Sequence, residues 1–161
     1  DGDSFYDRTK AIGEIDNKKD ITFRNSIIGP DYNENGIGLF NWFMKQKKDL
    51  NGYTNVYWSG VTTITLAKAI EKVTNTDLCG IYHLVNNKRI NKYDLLKLFN
   101  SKIIRNELNI QKFNDIYSDK TLICTRSDFD FIVPDYSLMI DELKDWIVKH
   151  PKMYPHYHIK L

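Results

Sequence analysis

A chain of 161 residues with 42% hydrophobic and 13% aromatic content makes roughly one globular domain, able to bury about 70% of its unfolded surface, which excludes disorder and any need for disulfide or metal staples. Lys+Arg 23 against Asp+Glu 21 leaves a net charge of +2, and neither half is basic enough for a nucleic-acid footprint. No apolar run approaches the roughly 18–20 residues of a membrane span and no signal-peptide core opens the chain; the two cysteines, Cys79 and Cys124, lie in apolar segments and read as reduced core thiols of a cytoplasmic protein, not a zinc site. The start Asp1-Gly2-Asp3-Ser4 lacks an initiator methionine. It implies a chain that begins inside a larger protein, or one clipped from a tag or propeptide.

A helix fits Ser4 to Glu14 and gives way to the polar turn Asp16–Asp20. Ile21 to Ile28 is β-rich and stops at Gly29-Pro30, which predicts one strand ending at a loop. After the Asn- and Gly-rich loop 31–38, Leu39, Phe40, Trp42 and Phe43 recur at helical spacing up to the basic end Lys45-Gln46-Lys47-Lys48. Asn55–Trp58 predicts a strand, Thr62 or Thr63 a helix cap, and Ile64, Leu66, Ala67, Ile70 and Val73 the inward face of the helix that follows. Ile81–Val85 predicts a buried strand, Asn91 a cap, and Tyr93, Leu95, Leu96, Leu98 and Phe99 an amphipathic helix. The stretch from residue 100 to Asn114 fits helix or loop, Thr121–Thr125 predicts a strand, and Tyr136–His150 a helix with Met139, Ile140, Leu143, Trp146 and Ile147 inward, stopped by Pro151. Strands alternating with helices of this length indicate an α/β fold with parallel pairing.

Tyr6 and Lys10 stand one helical turn apart, so both side chains project from one face. A phenol with an ordinary pKa of about 10 is a poor acid–base group near neutrality, and a neighbouring cation favours its phenolate and eases proton exchange with a substrate oxygen. Spacing alone does not single the pair out. Ten tyrosines and the chain's lysines give about one Tyr-x-x-x-Lys by chance, and a second occurs at Tyr93 and Lys97, where half-buried packing explains the tyrosine.

Context separates Tyr6 from Tyr93. Tyr6, Arg8, Lys10, Gly13 and Glu14, followed by Arg24, Ser26, Gly29 and Pro30, resemble the C-terminal part of an extended short-chain dehydrogenase/reductase, in the branch related to dTDP-4-dehydrorhamnose reductase. Gly38–Phe43, Gly52–Asn55, Trp58–Thr63, Leu66-Ala67, Gly80–Val85 and Lys92–Leu96 continue the resemblance in the right order, and it weakens beyond residue 100. Asp7 and Thr9 stand where the family has glycine and serine. The family's Gly-x-x-Gly-x-x-Gly phosphate loop and its Ser or Thr upstream of the tyrosine have no counterpart in this sequence.

The resemblance implies the C-terminal part of a Rossmann-type parallel sheet, with residues 1–30 giving the catalytic helix and a sheet strand. Residues 31–161 would be mainly a small α/β substrate lobe, with a returning sheet strand near 81–85. It further implies an enzyme that reduces a nucleotide-linked 4-keto-6-deoxysugar with NADP or NAD bound mainly by the missing N-terminal region. Tyr6 would be the proton donor and, with Lys10, a cofactor contact, and Lys10 both the pKa modulator of Tyr6 and an anchor for the nicotinamide ribose. Asn25, Ser26, Trp58 and Thr62, at strand ends or loops where open α/β sheets take ligands, are the substrate-contact candidates. An epimerase or dehydratase with tightly held NAD, and a non-catalytic binding or regulatory subunit, share the pattern. Strands without their sheet neighbours favour a homodimer or a partner chain.

Other candidates read more plainly. Gly36-Ile37-Gly38 is a loop and helix entrance whose N–H groups could face a pyrophosphate. His150, His156 and His158 read as surface histidines, and His83 as a satisfied core histidine. Arg24 could pair with a buried carboxylate or with a ligand, and both remain open from sequence.

Overall fold

The computed structural model describes residues 4–104 and 108–159. The Asp1-Gly2-Asp3 start and residues 105–107 of the ambiguous stretch lie outside them. In chain order the elements are α1 (Phe5–Ile12), β1 (Ile21–Arg24), β2 (Ser26–Ile28), α2 (Leu39–Met44), β3 (Leu50–Tyr53), β4 (Val56–Trp58) and β5 (Gly60–Thr62). They continue as α3 (Thr63–Val73), β6 (Gly80–His83), β7 (Ile90–Asn91), α4 (Lys92–Lys102), β8 (Ile110–Phe113), β9 (Ser118–Asp119) and α5 (Tyr136–Lys149).

The strands form small sheets, and most of the pairs are parallel. β1 pairs with β6, β2 with β5 and β3 with β8, all parallel, while β4 lies between antiparallel β7 and parallel β9. The single strand expected from Ile21 to Ile28 is broken at Asn25, because its two halves serve different partners: Thr22 sits opposite Ile81 on one side of the break and Ile27 opposite Val61 on the other. β3 and β8 pair across sixty residues of sequence, a non-local contact that gives no local hydrophobic alternation long enough to be read from either segment.

Each longer helix starts where a polar side chain caps it. Thr62 Oγ1 accepts the Thr65 N–H at 3.3 Å, Asn91 Oδ1 that of Asp94 at 2.8 Å, and Asp135 Oδ1 that of Leu138 at 2.8 Å, each satisfying a donor that the first turn leaves free. α2 ends before its lysines: Lys45 is its C-cap, and Lys47 and Lys48 lie beyond it. α3 buries Val73 as expected, with Ile64 and Leu66 partly buried, but it also buries Thr65 and Ala69 and leaves Ala67 and Ile70 exposed, since the small Thr65 and Ala69 let the helix lie close against β5 and α5. Thr121–Thr125 makes no ladder, and side chains hold it instead.

α5 joins two hydrophobic clusters. Its Ile140, Leu143 and Ile147 pack with Phe40, Phe43, Leu95, Phe99 and Tyr157, while Tyr136 and Met139 pack with Val61, Ala69, Tyr82, Leu84 and Phe129. Phe40 is the hinge of the first cluster, set edge-on to Phe99 at 5.4 Å and to Tyr157 at 5.5 Å between ring centroids, an arrangement that adds about 0.5–1.5 kcal/mol per pair to burial. Trp146, expected inward, lies at the rim and stacks on His150 at 3.9 Å. Cys79 and Cys124 are free and partly exposed, not core residues. Among the described residues no helix is long and apolar enough to cross a membrane.

Candidate functional site

α1 forms because Ser4 caps it at both levels: Ser4 Oγ accepts the Asp7 N–H at 3.1 Å and donates to Asp7 Oδ2 at 2.6 Å. The second bond holds the Asp7 carboxyl below its ordinary range, with a smaller contribution from the nearby Lys120 cation. One turn of this helix brings Tyr6 and Lys10 together, with Lys10 Nζ 5.6 Å from the Tyr6 ring centroid. Both side chains are exposed, Tyr6 to 66%. A phenol and an ammonium on one open helix face can exchange a proton with, and donate hydrogen bonds to, a molecule lying against that face.

Below the helix, Glu14 receives Arg24 Nε–H at 2.7 Å and Arg24 Nη2–H on its other oxygen. The sequence left Arg24 between a carboxylate and a ligand; it is paired with a carboxylate. The hydrogen bonds from Arg24 hold the Glu14 carboxyl below its ordinary range and raise the guanidinium further above its own.

Asn25 and Ser26 occupy the switch from β1 to β2, where Asn25 Nδ2 reaches Ser26 O at 3.5 Å. Ser26 lies opposite Gly60 of β5, so this junction meets the turn Trp58-Ser59-Gly60. Only glycine fits at position 60: a Cβ there would stand 2.3 Å from Ser26 O and 2.4 Å from Trp58 Cζ2. Trp58 packs on Tyr136 at 5.7 Å between centroids and belongs to the core boundary. Thr62 does not fit the expected substrate contact. It is 2% exposed and its hydroxyl is committed to capping α3 and to Thr65 Oγ1 at 3.0 Å. Among the described residues no hydrogen bond joins Tyr6 or Lys10 to Asn25, Ser26, Trp58 or Thr62.

Ser59 and Asn87, unassigned from sequence, and His83, satisfied as expected, hold the segment 122–124 across these strand ends. Ser59 Oγ accepts the Leu122 N–H at 2.7 Å, His83 Nδ1 meets Ile123 O at 2.9 Å, and Asn87 bonds both N–H and C=O of Cys124, at 2.6 and 3.2 Å. A carbonyl only accepts, so His83 carries its proton on Nδ1. Asn87 reaches its place through a φ of 57°, a left-handed conformation that asparagine tolerates. The Asn86-Asn87 dipeptide was the available signal for that turn. Further along, Arg126 Nη1 donates to Cys79 O and Ile81 O at 2.7 and 2.9 Å, covering the free side of β6.

The remaining candidates take structural places. Gly38 is the N-cap of the six-residue α2, Tyr93 is partly buried against Gly52, and His150 Nδ1 bonds Trp146 O at 2.8 Å at the end of α5. Clefts of about 260 and 190 Å³ lie along α5 and the C-terminal segment, and neither is lined by Tyr6, Lys10, Asn25, Ser26, Trp58 or Thr62. Among the described residues no group of three or more His, Cys, Asp or Glu could hold a metal ion.

No family model matches the sequence, and no curated protein matches it. Solved structures match the fold. The dTDP-4-dehydrorhamnose reductase of Bacillus anthracis str. Ames, in complex with NADP, aligns with a TM-score of 0.58 at 16% identity over 79% of this chain and 48% of that one. This chain has the fold of about half of an extended short-chain dehydrogenase/reductase. The UDP-N-acetylglucosamine 4-epimerase of Methanobrevibacter ruminantium M1, in complex with UDP-N-acetylmuramic acid, aligns at 0.58 and 15% identity over 81% of this chain and 46% of that one. The dTDP-glucose 4,6-dehydratase of Bacillus anthracis str. Ames, in complex with NAD, aligns at 0.55 and 15% identity over 84% and 46%. The chain therefore spans about half the length of the solved structures it matches.

Proposed function

We propose that this chain is the C-terminal portion of an NAD(P)H-dependent reductase of a nucleotide-linked 4-keto-6-deoxysugar, with the nucleotide-cofactor half lying outside residues 1–161. The observation that carries the reading is the Tyr6–Lys10 pair on an open helix face of a chain with this fold. The donor set fits one part of the cofactor: a phenol and an ammonium suit the hydroxyls of a ribose. The sequence holds no glycine-rich loop after a strand for its phosphates.

When bound, the cofactor supplies a hydride to the sugar C4. Tyr6 gives its hydroxyl proton to the oxygen that becomes an alkoxide, and Lys10 stabilises the phenolate left behind while its other N–H groups hold the ribose. Asn25 and Ser26, at the β1–β2 switch, hydrogen-bond the sugar, and Trp58 presents a ring edge at the same junction. Thr62, buried as a cap, takes no part. The reading goes with a cytoplasmic enzyme of surface-polysaccharide sugar synthesis.

A nucleotide-sugar epimerase or dehydratase is the second reading, since similar structures, at TM-scores of 0.58 and 0.55, are named for those activities. Cofactor stoichiometry separates the two. The full-length protein, mixed with a dTDP-4-keto-6-deoxysugar, should oxidise NADPH mole for mole with sugar reduced. Sugar conversion without net NADPH loss supports the second reading, and no conversion of any nucleotide sugar overturns both.

A further inference from the structure

We propose that the Glu14–Arg24 ion pair, together with the Thr22 hydroxyl, is the positioning device that aims the Tyr6–Lys10 helix; the proposal rests on the role given above to Tyr6. α1 buries none of its residues, and its large apolar side chains Phe5 and Ile12 are each 84% exposed. Hydrophobic packing within the described residues therefore does not set its direction. What ties it to the sheet is polar and lies at its C-terminal end. Thr22 Oγ1 donates to Ile15 O at 2.8 Å and accepts the Ile15 N–H at 3.1 Å, and Arg24 grips the adjacent Glu14 through two nitrogens.

Thr22 and Arg24 are alternate residues of β1, so they stand on the same face of the strand, and β6 backs them with Ile81 and His83. A single anchor would let the helix swivel; two neighbouring anchors on residues 14 and 15 fix a direction as well as a point. The arginine fork adds to this, because its planar pair of bonds admits one orientation of the carboxylate where a lysine point charge would admit many. Tyr6 lies six residues before Ile12, the last residue of the helix, about 9 Å along its axis at about 1.5 Å per residue. A swivel of about 10° at the anchor thus displaces the phenol by roughly 2 Å, and displacements of about 1 Å can cost about 10²-fold in rate. Arg24 also immediately precedes Asn25 and Ser26, so the same guanidinium links the proton donor's helix to the strand end that meets the sugar in the proposed reaction.

The test pairs a dynamic readout on this chain with kinetics on the complete enzyme. NMR amide order parameters for Tyr6–Ile12 should fall from about 0.85 in the wild type to below about 0.6 in Arg24→Gln, with α4 unchanged. Arg24→Lys should lie between, and the charge exchange Glu14→Arg with Arg24→Glu should restore part of the order. In the enzyme, Arg24→Gln should lower kcat at least about tenfold with KM for the nucleotide sugar held within about twofold, and the exchanged pair should recover part of it. Unchanged order in Arg24→Gln, or a charge exchange that restores nothing, overturns the proposal. If Tyr6→Phe abolishes turnover while Arg24→Gln does not affect it, the positioning role is wrong and the role of Tyr6 stands. If neither variant affects turnover, the role of Tyr6 fails and the positioning role fails with it.

Discussion

Asn41 should be the most costly polar side chain to remove. It is fully buried on α2 and makes three hydrogen bonds: Nδ2 donates to Glu34 O at 3.0 Å and to Gly36 O at 2.7 Å, and Oδ1 accepts from Tyr157 OH at 2.8 Å. Tyr157 OH in turn accepts the Asp31 N–H at 2.9 Å. One amide thus fastens the loop 31–38 and the C-terminal segment to the first hydrophobic cluster. At about 1 kcal/mol per bond, Asn41→Ala should cost about 3 kcal/mol, more if the Tyr157 proton is left without an acceptor. For a domain of this size that is a fall in Tm of roughly 6–12 °C. Urea denaturation should show a lower midpoint at unchanged m. A cycle with Tyr157→Phe should give a coupling of about 0.5–3 kcal/mol between the two sites. A loss below about 0.5 kcal/mol, or strictly additive effects, would refute the reasoning that these bonds are native and shared.

Replacing Lys10 by Met in the complete enzyme should weaken cofactor binding, because it removes the N–H donors given above to the ribose; unchanged NADPH affinity contradicts that role of Lys10. Burial pushes the phenols of Tyr82 and Tyr136 up to about 12, so their contribution to stability is complete below the ordinary value of 10.0 and is lost as pH rises toward about 12. A denaturation series that stays flat across that alkaline window contradicts their burial. Purified residues 1–161 should not bind NADPH in a fluorescence titration, since the phosphate-binding turn such folds depend on is absent from the sequence. Micromolar binding would show that the chain is not a cofactor-poor half.

The local parts of the fold were legible because their signals are local. Ser4, Thr62 and Asn91 announce helix starts by their own side chains, and the stripe through Met139, Ile140, Leu143 and Ile147 is a single face of one helix. What escaped was set by distant partners: the break at Asn25, the β3–β8 pair, and the segment 122–124, which looks like a strand but is held by Ser59, His83 and Asn87. The candidate site divides in the same way. The Tyr6–Lys10 turn follows from a four-residue spacing on a capped helix, whereas the commitment of Thr62 to a cap and of Arg24 to Glu14 needed the packed chain to decide.

The central claim is that Tyr6 is the proton donor to a reduced nucleotide sugar, and replacing it by phenylalanine in the complete enzyme tests it most directly. The substitution removes one oxygen from an exposed ring on α1 and disturbs no packing. NADPH-dependent reduction of a dTDP-4-keto-6-deoxysugar should fall at least about 10²-fold, the lower range for losing a positioned general acid, while sugar-nucleotide affinity stays near that of the wild type. Wild-type turnover by Tyr6→Phe would remove Tyr6 from the chemistry.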